Sequence, residues 1–77
     1  MIDKNSILMY FQLKHRMNIQ KTLDGNNIFI SNNGSVIINK ILISYDKLFL
    51  SDRLLIFVIG EENKIKVQYK DIDEIRL

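Results

Sequence analysis

The stretch NIFISNNGSVIINKILISY, residues 27–45, decides the fold class. β-Branched and aromatic side chains dominate it, and an Asn33-Gly34 pair interrupts it. Asn-Gly favours the positive φ angles of tight turns, so the interruption predicts a hairpin. The same punctuation extends outward in both directions. Asp24-Gly25 precedes the stretch, and Tyr45-Asp46, Ser51-Asp52 and Gly60-Glu61-Glu62-Asn63 follow it, each between short runs rich in Ile, Val, Phe and Tyr. The chain has no proline. Short strands divided by such turns predict an all-β domain, a small antiparallel meander barrel over residues 1–77.

Individual segments sharpen this reading. Asn27 to Ser31 reads as a short strand and residues 35–45 as a long one, apolar on both faces, hence central or bent so that each half buries a different side. Leu48, Phe49 and Leu50 follow as another short strand. Residues 54–59 are apolar throughout and read as a core strand, with Leu54, Ile56 and Val58 as the candidate face for contact with another subunit. Residues 64–70 alternate cleanly, Ile65, Val67 and Tyr69 inward and Lys64, Lys66, Gln68 and Lys70 outward. Ile72, Ile75 and Leu77, set among acids, form a last strand or a helical turn.

The first twenty residues admit two periods. Ser6 suits a helix cap, with Ile7, Leu8, Tyr10, Phe11 and Lys14 at helical spacing. Met9, Phe11, Leu13, His15, Met17 and Ile19 also alternate with Tyr10, Gln12, Lys14, Arg16, Asn18 and Gln20, the pattern of a half-buried strand. The alternation is longer and favours a strand; a helix in its place is the alternative.

The chain is short, 77 residues, and lacks cysteine, so neither disulfides nor a thiolate zinc site supplements its core. A dense apolar core or oligomerisation must compensate. With no proline to guard sheet edges, edge-to-edge pairing into a homo-oligomer is the expectation. No run approaches the roughly 20 apolar residues of a membrane span, and no signal-peptide pattern is present, so a cytoplasmic protein is expected. The net charge of +2 is too small to argue for nucleic acid alone. Residues 1–50 carry six basic and three acidic side chains and residues 51–77 five and six, a mild asymmetry.

Catalytic chemistry has little to work with. His15 is the only histidine and reads as a buried residue rather than a base or ligand. The carboxylates Asp71, Asp73 and Glu74 read as a solvated acidic end, and Glu61 and Glu62 as a turn. The three glycines are isolated, so no phosphate loop exists. No cofactor and no metal are expected, and the chain is not expected to be an enzyme. Lysines 64, 66 and 70, with Lys14 and Arg16 on the first segment and Tyr10 and Tyr45 nearby, are the residue types that hold phosphates and stack on single-stranded bases.

From residue 27 onward the order of elements resembles the Sm-like family. The matching pieces are Ile28-Phe29-Ile30-Ser31-Asn32-Asn33-Gly34, then Tyr45-Asp46-Lys47, then Tyr69-Lys70-Asp71-Ile72, about two-thirds of the chain. The resemblance implies a ring-forming barrel of SH3/Sm-like type that binds RNA, with Lys64, Lys66, Tyr69 and Lys70 as candidate nucleic-acid contacts. Asp71 stands where that family's closing Tyr-Lys segment continues with histidine, so Tyr69 and Lys70 alone carry over. Residues 40–50 together with Tyr69 to Ile75 also look like part of a bacterial pleckstrin-homology-like domain, which would continue into a helix. The expected function is a non-enzymatic binding or assembly module that acts through protein–protein contacts and self-associates. The alternatives are an Sm-like RNA binder and a small phage or mobile-element inhibitor or regulator of a larger protein.

Overall fold

A helix opens the chain. In the computed structural model, which describes residues 3–15, 19–21 and 28–76, α1 spans Lys4–Lys14. The strand expected here is therefore replaced by its helical alternative, and burial shows why. Ile7 and Phe11, one turn apart, are both fully buried, whereas Met9 and Leu13, inward in a strand, are 62% and 69% exposed. Anchoring two large side chains on one side of a helix outweighed the strand-like alternation. The helix starts from Asp3, with Ser6 inside it, and ends at His15, whose N–H donates to the Phe11 carbonyl. Lys14 in the last turn suits the negative end of the helix dipole. Arg16 and the expected Asp24-Gly25 turn lie outside the described residues.

The rest is antiparallel β-structure in two sheets. Strands β1 (Ile19–Lys21), β2 (Ile28–Ile30), β5 (Lys47–Leu50), β6 (Leu54–Ile59) and β7 (Asn63–Gln68) form a five-stranded sheet in the order β1-β2-β5-β6-β7. Strands β3 (Gly34–Ile38), β4 (Ile41–Tyr45) and β8 (Ile75–Arg76) form a three-stranded sheet in the order β4-β3-β8. The described residues do not close into a single barrel.

One folded hairpin generates both sheets. β2 and β3 run on one side of it, β4 and β5 on the other, and only Asp46 separates β4 from β5. Ile30 pairs with Leu48 and Gly34 with Tyr45. Three residues, Ser31, Asn32 and Asn33, thus oppose two, Asp46 and Lys47. An extra residue on one strand bends and twists a hairpin, and here it coincides with the passage from one sheet to the other. Asn33-Gly34 and Tyr45-Asp46, expected as turns, are the two sides of this corner. Asp46 fixes it: its N–H donates to the Val58 carbonyl at 2.8 Å, and its carboxylate accepts from the Gly60 N–H at 2.7 Å.

The hairpin tip is Asn39-Lys40, with φ of 50° and 69°. Positive φ at both central residues is the two-residue turn whose twist matches that of paired strands. Residues 35–45 are therefore two strands, not one. Their doubly apolar pattern reflects exposure as much as burial: Val36, Ile38 and Ile43 are buried, while Ile41 and Leu42 are each 64% exposed beside the tip. The Ser51-Asp52 and Gly60 turns form as expected, with Gly60 at φ 67°.

Between the sheets and α1 lies one core. Ile7 and Phe11 meet Ile30, Leu48, Leu50, Leu55, Phe57, Val36, Ile38, Ile43, Tyr45 and Ile72. Phe57 is its aromatic centre, edge-on to Phe11 at 6.2 Å and tilted against Tyr45 at 5.3 Å between ring centroids. Fully burying each such side chain contributes about 1.5–3 kcal/mol. Among the described residues no helix is long and apolar enough to cross a membrane.

Candidate binding face

Strand pairing determines which side chains leave the core together. In β6, Leu55 and Phe57 point inward and are fully buried, so Leu54, Ile56 and Val58 point outward, where they remain half-buried. Register then extends the outer face strand by strand. Ile56 lies between Phe49 and Lys66, Val58 lies between Lys47 and Lys64, and Leu54 lies beside Gln68. Phe29 pairs with Phe49, their ring centroids 4.6 Å apart with a 33° tilt. An apolar band of two aromatic and three aliphatic residues thus crosses β2, β5 and β6 and is flanked by Lys47, Lys64 and Lys66. These three lysines are exposed, and none of them forms an ion pair among the described residues.

The expected site residues divide between two sides of the molecule. Lys64 and Lys66 share the outer face with Leu54, Ile56 and Val58, so two groups expected to act separately form one surface. Tyr69 does not join them. The strand ends at Gln68, and Tyr69–Asp71 form a 3₁₀ turn that carries the Tyr69 ring into the core at 6% exposure. Its hydroxyl donates to the Ser51 carbonyl at 2.7 Å, and the Lys4 ammonium lies 5.8 Å from its ring centroid. Burial, with the nearby Asp52 carboxylate second, pushes the Tyr69 hydroxyl up to about 12. The ring is occupied internally and presents no stacking surface. Lys70 is exposed on the 3₁₀ turn.

Phe29 and Phe49 were missed as site residues. Their segments were legible as strands, but β2 meets β5 only beyond the corner of the folded hairpin, and it is this pairing that adds an aromatic end to the band.

Polar chemistry elsewhere is structural. His15 is buried and shares a hydrogen bond of 2.7 Å between its Nε2 and the Tyr45 hydroxyl. Burial raises Tyr45 to about 12, with Tyr10 as the secondary cause, so it is neutral near pH 7. Lys14 donates to the Ser35 carbonyl, tying the helix end to β3. The acidic end is organised by Asn39, whose amide oxygen accepts from the N–H groups of Asp73 and Glu74. Among the described residues, no three His, Asp or Glu side chains group as metal ligands would.

Compared with protein-family models, curated proteins and solved structures, the chain matches none. The outer face of the five-stranded sheet is consequently read from its own chemistry.

Proposed function

We propose that this chain is a non-enzymatic binding module that docks another protein on the outer face of its five-stranded sheet. The observation carrying this reading is the arrangement there: an apolar centre of Phe29, Phe49, Leu54, Ile56 and Val58 with Lys47, Lys64 and Lys66 at its margin. An apolar centre with a polar, hydrated rim is the anatomy of a protein interface. Nucleic acid would use the lysines but not the aliphatic strand between them and the phenylalanines. The continuous passage from β4 into β5 supports a partly open small barrel as the scaffold, with this face on its exterior. A small protein that works by covering part of a larger one, as an inhibitor or regulator does, fits this geometry.

The test is photo-crosslinking from position 49. A photoreactive phenylalanine analogue replaces Phe49, the protein is produced in its own cells, and adducts are analysed by mass spectrometry. Discrete protein adducts that disappear when Ile56→Asp is added are expected. Nucleotide adducts, or none, would overturn the reading.

A further inference from the structure

The binding face has a direction. Leu54, Ile56 and Val58 form a line along β6, with Phe49 and a single lysine, Lys47, on one side and the pair Lys64 and Lys66 on the other. At about 3.4 Å per residue and 4.8 Å between strands, the line is roughly 14 Å long and the lysine edge roughly 5 Å from it. None of the described outward side chains paired along this line is acidic. Resting on the docking face proposed above, we infer that its partner segment is an amphipathic α-helix carrying acidic residues along one flank of its apolar stripe.

Three features favour this occupant. A line of roughly 14 Å matches about nine helical residues at 1.5 Å each. Lys64 and Lys66 are about 6.8 Å apart along their strand, close to the roughly 6 Å rise between helix positions i and i+4, so two carboxylates at that spacing meet both ammonium groups. Finally, charge excludes the simplest competitor: a second copy laid face to face would set lysines against lysines.

The experiment measures binding of the full chain to fluorescent helical peptides of about fifteen residues, long enough to hold helix. All share one Leu/Phe stripe and carry on its flank two Glu at i and i+4, two Gln, or two Lys. An oligouridine is the fourth probe. The Glu peptide is expected to bind about tenfold more tightly than the Gln peptide, with the advantage fading in salt. The Lys64→Glu/Lys66→Glu variant is expected to prefer the Lys peptide. Both lysines are exposed, so the fold should survive, with circular dichroism as the check. Equal binding of Glu and Gln peptides, abolished by Ile56→Asp, would overturn the acidic flank while leaving the docking face intact. Binding of oligouridine alone would overturn both readings. A dimer dissolved by Ile56→Asp, with no peptide bound, would assign the face to a second copy and overturn the helix. Silence from every probe in a monomeric protein would also overturn the helix, and crosslinking at position 49 then judges the face independently.

Discussion

His15 Nε2 lies 2.7 Å from the Tyr45 hydroxyl, joining the end of the helix to the corner of the folded hairpin inside the core. The rings meet edge-on, 5.9 Å between centroids at 69°. Burial, followed by the Lys14 charge, holds the His15 pKa below its usual 6.5. The folded state therefore favours neutral imidazole, and the unfolded chain binds the proton first as pH falls. This contribution to stability is complete above pH 6.5 and is lost as pH falls through the depressed folded value. Melting temperatures from pH 8 to pH 5 should decline in the natural protein and much less in His15→Phe. Identical pH profiles would refute the assignment. At the alkaline end Tyr45, raised to about 12 from 10.0, contributes stability below pH 10 that is lost as pH approaches 12.

Gly34 faces this pair. A Cβ placed there would sit 2.7 Å from the Tyr45 hydroxyl oxygen, 2.9 Å from its Cζ and 3.2 Å from His15 Cε1. Because Tyr45 is buried and hydrogen-bonded, it cannot swing clear cheaply. Gly34→Ala is expected to destabilise by about 1–3 kcal/mol, the usual effect of overpacking. Tyr45→Phe in the same chain removes the nearest contact, so the double variant should lose less than the sum of the single losses. Additive losses in urea unfolding would place the cost elsewhere.

Asn39 latches the chain end onto the hairpin tip. Its side-chain nitrogen donates to the Asp71 carbonyl at 2.7 Å, and its oxygen accepts from Asp73 at 2.8 Å and Glu74 at 3.1 Å. Its own N–H donates to the Glu74 carbonyl at 3.1 Å. Asn39→Ala removes the three side-chain bonds and leaves alanine at a φ of 50°, a loss of about 2 kcal/mol. β8 pairs only with β3 through Ile37 and Ile38, so it should open first. Faster amide exchange at Arg76 and Ile37 than across β6 is the expected signature; uniform exchange would contradict a local latch.

These cases mark what the residues disclosed and what they concealed. Strand β6 was legible as an unbroken apolar, β-branched run and β7 by its alternation of apolar and polar residues, with Gly60 closing the turn between them. The Asn33-Gly34 pair misled, since a positive-φ dipeptide signals a tight turn and a strand corner alike. The real tip, Asn39-Lys40, lacks glycine, and its asparagine is explained by contacts to residues more than thirty positions away. Met9 and Leu13 fitted the favoured strand, and only the site occupied by Ile7 and Phe11 decided for the helical alternative. On the binding face, Leu54, Ile56 and Val58 were found by alternation. Their union with Lys64 and Lys66 depended on a register, and with Phe29 on a pairing beyond the corner of the folded hairpin. Tyr69 was read inward by alternation and is buried; only the Sm-like resemblance set it among the nucleic-acid contacts.

Lys40 offers the converse prediction, a substitution that strengthens the fold. It holds φ of 69° with its side chain exposed. A non-glycine residue in the left-handed region costs roughly 1–2 kcal/mol, because its Cβ crowds the following carbonyl. Lys40→Gly removes that strain and completes an Asn-Gly turn, the preferred pair for this geometry. Glycine also gives the unfolded chain more freedom, offsetting about 0.4–1 kcal/mol of the gain. A net stabilisation of about 0.5–1 kcal/mol remains, seen as a higher denaturant midpoint with unchanged slope. The neighbouring change Asn39→Gly should do the opposite: asparagine already tolerates its φ of 50°, and losing its amide releases Asp71, Asp73 and Glu74. If both changes stabilised alike, the tip would be limited by backbone strain alone and the latch would carry no energy.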